Sequence, residues 1–106
     1  MVRHVFLWKV APGSDPDEVV AILNELPDRV PGALTWSIGA HQGAPGASGD
    51  VWEYGLVCDF ESYDALKQYS EHPAHLEVID RLLPMFEARA VCDFEIDGEF
   101  SSSEDS

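Results

Sequence analysis

Apolar and polar residues alternate in four stretches of this chain, and in the stretches between them apolar residues recur every third or fourth position. Residues 2–10, Val-Arg-His-Val-Phe-Leu-Trp-Lys-Val, carry His4, Phe6 and Trp8 on one side of an extended chain and Val5 and Leu7 on the other. Successive side chains of a strand point to opposite faces, and aromatic and β-branched residues suit a pleated surface. The pattern predicts a strand that is apolar on both faces. Such a strand is covered on both, which implies helices against one side of its sheet and another sheet against the other.

Ala11-Pro12-Gly13 ends the strand, and Asp15-Pro16-Asp17-Glu18 marks a helix start. It offers a capping carboxylate, proline at the first helical position and acids over the positive end of the helix dipole. Val19, Ile22, Leu23, Leu26 and Val30 follow as one apolar stripe, which Pro31-Gly32 closes. Residues 33–41 alternate with Leu34, Trp36 and Ile38 on one face, and residues 51–60 with Trp52, Tyr54, Leu56, Cys58 and Phe60. These are two strands of a hairpin. The connection between them, 42–50, has no bulky side chain and is expected to be a mobile loop.

A second helix is predicted from Ser62 to about Glu71, and Pro73 restarts it, because Leu76, Val78, Ile79, Leu82 and Leu83 keep a helical spacing. Residues 86–96 form the last strand. The order βαββαβ is the ferredoxin-like α+β unit. The domain is assigned to residues 1–98, and 99–106 is an acidic, serine-rich tail with nothing to bury, expected to be disordered.

A chain of 106 residues has room for one core. Twenty acids against six bases give a net charge of −14, which phosphate backbones and anionic lipid headgroups repel, so neither nucleic acid nor membrane is an expected partner. No apolar run is long enough to span a bilayer, and the N-terminus enters a strand without the zones of a signal peptide, so a cytoplasmic location is expected. Cys58 and Cys92 lack zinc or redox spacing and read as buried free thiols.

The candidate chemistry lies in Tyr69-Ser70-Glu71-His72-Pro73-Ala74-His75. With Pro73 first in the new helix, His72 caps it and His75 stands in its first turn, where the dipole disfavours imidazolium. A neutral His75 accepts a proton, and a phenol two turns earlier can hydrogen-bond a developing enolate oxygen. The same residues also suit a simpler task, satisfying the backbone groups freed at a helix break, and the pattern alone favours that task. His4, His72 and His75 have no carboxylate or cysteine at ligand spacing beside them, so a metal is not expected. His41 reads as a solvated surface residue.

His4, Val30-Pro31-Gly32, and Tyr69 with His72-Pro73-Ala74-His75 together make the chain resemble the stress-responsive A/B barrel family over nearly its whole length. The resemblance implies a homodimer: ferredoxin-like protomers paired through their sheets into a dimeric α/β barrel with the helices outside. The chain is also similar to the cofactor-free polyketide cyclases of the olivetolic acid type within that family. That similarity implies His75 as the catalytic base, Tyr69 as the group that stabilises the enolate, His4 in the pocket and Asp93 holding the His75 ring in one tautomer. Tyr54 and Arg89 stand where those cyclases have a pocket histidine and a pocket leucine. Arg89 suits an anionic ligand better than an alkyl tail, or pairs with a nearby acid.

Phe6, Trp8, Leu56 and Phe86 are expected to wall the pocket, with Trp8 and Phe86 narrowing it. The function so implied is a cofactor-independent acid/base enzyme, cyclase or lyase in type, acting on a small polyketide-like carbonyl compound. The alternatives are a barrel that binds a small ligand without turning it over and a structural dimer whose pocket is filled by side chains.

Overall fold

Val2–Val10 forms the first strand, β1, and its alternation sets the architecture of the sheet. A computed structural model of the chain describes residues 1–46 and 49–96; the expected tail 99–106, the last two residues of the assigned domain and part of the 42–50 loop lie outside them. β1 pairs antiparallel with β3 (Tyr54–Phe60) on one side and β4 (Phe86–Glu95) on the other, and β2 (Ser37–Ala40) pairs with β3. The sheet order is β2-β3-β1-β4, the ferredoxin-like arrangement.

Pairing fixes which side chains share a face. Phe6 stands opposite Leu56 and Val91, Trp8 opposite Tyr54 and Arg89, and His4 opposite Cys58 and Asp93. This inner face is covered by α1 (Pro16–Leu23), α2 (Leu26–Arg29), α3 (Tyr63–Glu71) and α4 (Pro73–Leu82). The core lies between: Trp8, Cys58 and Phe60 from the sheet meet Val19, Leu23, Leu26, Val78 and Leu82 from the helices. Each such aliphatic side chain contributes on the order of 1.5–3 kcal/mol.

The outer face carries Val5, Leu7, Val57, Ala88, Ala90, Cys92 and Phe94, and none of the described helices or strands covers it. Phe94 is 45% exposed. The second sheet expected against this face is therefore not supplied by the described residues. Its one buried carboxylate, Asp59, takes both arms of the Arg3 guanidinium and the Thr35 hydroxyl, and the guanidinium holds it below the usual carboxylate value. Cys58 is a buried free thiol, as expected, whereas Cys92 is exposed on this outer face.

Three boundaries differ from the pattern. The first helix does not run through to Val30 but breaks at Asn24–Glu25 into α1 and α2. Pro27 is the cause: it brings no N–H, and its ring displaces the carbonyl of Leu23. β2 begins at Ser37, four residues later than its alternation, because Thr35 Oγ1 accepts from the Asp59 backbone N–H at 3.0 Å and replaces a ladder bond with a side-chain one. β3 begins at Tyr54 rather than 51, although His41 N–H still bonds the Glu53 carbonyl at 2.8 Å. Between α2 and β2, Gly32 adopts φ +125°, a conformation that a side chain would strain, and lets the chain turn against the Phe60 ring.

Candidate functional site

His72 has an extended backbone, φ −62° and ψ 136°, and is at once the last cap of α3 and the first cap of α4. Its Nδ1 accepts the Ala74 backbone N–H at 3.0 Å, and Pro73 occupies the first helical position, where a missing N–H costs nothing. One turn of this new helix brings His75 round to the sheet. The helix break foreseen in the sequence is therefore present, and the side-chain cap of its second helix is His72.

Tyr69 and His75 meet edge to face with their ring centroids 4.9 Å apart, and Phe60 supports the other side of the phenol at 4.9 Å. Tyr69 is buried, yet its hydroxyl bonds to no described residue. Burial pushes its pKa up, and the neighbouring Cys58 pushes the same way, so the phenol stays a proton donor well above neutral pH. His75 is shifted down, first by burial and then by His4 and His72, with the backbone of Ser70 opposing. It is neutral near pH 7. Its Nδ1 is buried without a hydrogen-bond partner among the described residues.

Both residues line a cavity of about 260 Å³ between the helices and the inner face of the sheet. His4, Phe6, Leu56 and Arg89, all expected there, line it from the sheet side. Asp93 lines it too, but not as expected. Its Oδ1 lies 2.5 Å from Nδ1 of His4, its cross-strand partner, and it makes no hydrogen bond to His75. The register explains this: residues paired across β1 and β4 share a face at close range, whereas His75 arrives from the helix layer.

Three expected wall residues fall elsewhere. Trp8, Tyr54 and Phe86 form an aromatic stack, Trp8 to Tyr54 at 5.7 Å and Trp8 to Phe86 at 6.1 Å, beyond the end of the cavity. They sit two or more residues further along the sheet than Phe6 and Leu56, outside the lining of the cavity. Tyr54 instead edges a second, solvent-open concavity of about 590 Å³ beside His41 and Glu53. It is larger, but its Glu53 carboxylate accepts from the Val10 backbone N–H, and its His41 ring is engaged by the carbonyls of Gly43 and Ala44. Sequence reasoning missed Leu23, Leu26, Ser70, Ile79 and Val91, which complete the 260 Å³ cavity. Val91 was legible, since it alternates with Arg89 and Asp93; the helical residues were visible only as core.

Among the described residues, no group of three histidine, cysteine or acidic side chains is spaced to hold a metal ion. None of the described helices is long and apolar enough to cross a membrane.

A four-stranded ferredoxin-like protomer with a small cavity between sheet and helices, lined by an acid/base-competent phenol and imidazole, defines the class. Residues 2–96 match the model of the stress responsive A/B barrel domain, and the chain belongs to that family. No curated protein matches it. Among solved structures, it is similar to a dimeric ferredoxin-like protein of unknown function from Thermobifida fusca (24% identity, 90% of each chain, TM-score 0.73). It is similar to a hydroxynitrile lyase from Passiflora edulis (21% identity, 94% of this chain and 96% of that one, TM-score 0.81). It is also similar to SnoaB, a cofactor-independent oxygenase from Streptomyces nogalater (16% identity, 92% and 94%, TM-score 0.72). Likeness at these identities establishes the fold.

Proposed function

We propose that the protein is a cofactor-independent acid/base enzyme acting on a small carbonyl compound, with a cyclase or lyase type of reaction. The observation that carries this reading is the Tyr69 hydroxyl, bonded to no described residue, set beside a neutral His75 on the wall of one cavity. A neutral imidazole removes the proton next to a carbonyl, and a phenol that keeps its proton donates a hydrogen bond to the enolate oxygen that forms. His4, with Nδ1 committed to Asp93, offers Nε2 to the same ligand. Two of the similar structures are enzymes, a hydroxynitrile lyase and a cofactor-independent oxygenase, which supports an enzymatic reading.

The working form in this proposal is a homodimer paired through the uncovered sheet face. Val5, Leu7, Val57, Ala88, Ala90 and Phe94 make that face apolar, and similar proteins are described as dimeric. Contiguous apolar surface of this kind marks an association site.

The test is exchange of carbon-bound protons in deuterium oxide, followed by proton NMR over a panel of small ketones and β-dicarbonyl compounds. The wild type accelerates exchange next to the carbonyl of at least one of them, and His75→Gln and Tyr69→Phe return it to background. Ligands that bind saturably in the cavity with no exchange in any variant contradict catalysis and favour a barrel that only holds its ligand.

A further inference from the structure

We infer that Arg89 selects the ligand of this cavity, and that the ligand is a small oxo acid whose carboxylate meets Arg89 while its carbonyl lies at Tyr69 and His75. The inference rests on the proposed acid/base site and adds its substrate class. It begins from the disposition of the chain's arginines. Arg3 is committed to Asp59, Arg29 to Glu25 and Glu77, and Arg81 to Glu25 and Glu77. Arg89 alone among them makes no ion pair or hydrogen bond with any described residue. In a chain with twenty acids and six bases this is not for want of carboxylates.

Its position explains why no acid reaches it. Arg89 stands opposite Trp8 on the inner face of β4, which turns its side chain to the cavity rather than to the acidic helix surface. The one carboxylate on the same wall, Asp93, lies four residues along the strand, roughly 13 Å away at strand rise, and is already engaged by His4. The wall therefore has a cationic end at Arg89 and a closed His4–Asp93 pair at the other, with Phe6, Leu56 and Val91 between and beside them.

A guanidinium offers two parallel N–H donors that match a carboxylate, and the match is worth more at the edge of an apolar cavity than in open water. At about 260 Å³ the cavity is smaller than the ~300–1,000 Å³ of sites for drug-sized ligands, so the molecule is small. A singly charged carboxylate is also the anion that a protein of charge −14 repels least. Alkyl and carbonyl portions then fall against Phe6, Leu56, Leu23 and Ile79, within reach of the phenol and imidazole on the helix side.

The test compares 4-oxopentanoate with its methyl ester, two probes that differ in the charge. Binding is followed through the His75 ring and Arg89 Nε–H resonances in the wild type, Arg89→Gln and Arg89→Lys. Arg89 is exposed and bonded to no described residue, so these variants remove no internal contact. The wild type binds the acid about tenfold or more tightly than the ester. Arg89→Gln abolishes that preference, and Arg89→Lys restores part of it. Equal binding of acid and ester by the wild type, or a preference that survives Arg89→Gln, overturns the role of Arg89 and leaves the acid/base site standing. Failure of both probes to perturb His75 at any concentration up to saturation of the solution overturns the site reading and this inference together.

Discussion

Nδ1 of His4 and Oδ1 of Asp93 lie 2.5 Å apart across the β1–β4 ladder, and this pairing decides what His4 presents to the cavity. An ionised carboxylate only accepts, so Nδ1 carries the proton and Nε2 is left for a ligand. Asp93→Asn is expected to mix the two tautomers, visible in long-range nitrogen–proton correlations of the imidazole. Because both partners are partly exposed, the same change should cost less than about 1 kcal/mol of stability. A tautomer that does not respond to the variant would contradict the assignment.

Tyr69→Phe separates function from folding. The hydroxyl bonds to no described residue, so its loss should change unfolding by less than about 1 kcal/mol in urea. Exchange or turnover should nevertheless fall by roughly 10²–10⁴, the usual contribution of a positioned acid/base group. A variant that loses several kcal/mol of stability while keeping its activity would return Tyr69 to a packing role.

The pH dependence follows from two opposite shifts. His75 works as the neutral base, and its pKa lies below the ordinary 6.5, so activity rises with pH with its midpoint below that value. Tyr69 works as the protonated donor, and its pKa lies above the ordinary 10.0, so it imposes no alkaline loss up to that pH. Stability carries the same sign. Since the folded pKa of His75 is depressed, the unfolded chain binds the extra proton between that pKa and 6.5, and folding is weakened as pH falls through this window. Rate profiles and urea midpoints from pH 5 to 10 check both statements. An acid limb centred above 6.5 would be inconsistent with a buried neutral imidazole.

The outer face of the sheet yields a prediction about assembly. Phe94→Asp places a charge on the apolar surface and should convert a dimer to a monomer in light scattering coupled to size exclusion. Cys92 reports the same event chemically: it shares this face, and its labelling by a thiol reagent should quicken when the dimer is lost. Cys58 should stay silent throughout, since burial and then Asp59 and Asp93 push its thiol up to about 12. A wild-type monomer at micromolar concentration would refute the dimer.

Much of the fold could be read directly from local signals. Asp15-Pro16 and His72-Pro73 mark helix starts by chemistry confined to neighbouring residues, and the alternation through His4, Phe6 and Trp8 fixes one face of β1. What was not legible depends on contacts between distant residues. The late start of β2 comes from Thr35 bonding Asp59, and the partner of Asp93 lies 89 residues away on β1. Alternation also states which face a side chain takes but not where along the strand the helices leave a gap. For that reason Phe6 and Leu56 line the cavity, while Trp8, Tyr54 and Phe86, on the same face, do not. Pro27 is a different case, a local helix breaker present in the sequence whose effect the apolar stripe through Leu26 and Val30 concealed.

The central claim is that Tyr69 and His75 form a preorganised acid/base pair, and it is tested most directly by titrating the His75 ring by NMR in the wild type and in His4→Ala. A pKa below 6.5 that moves upward when the His4 ring is removed is the result this account predicts. A ring that titrates at or above 6.5 and ignores His4 would mean that His75 is a solvated residue beside a helix break, and the catalytic reading would fall with it.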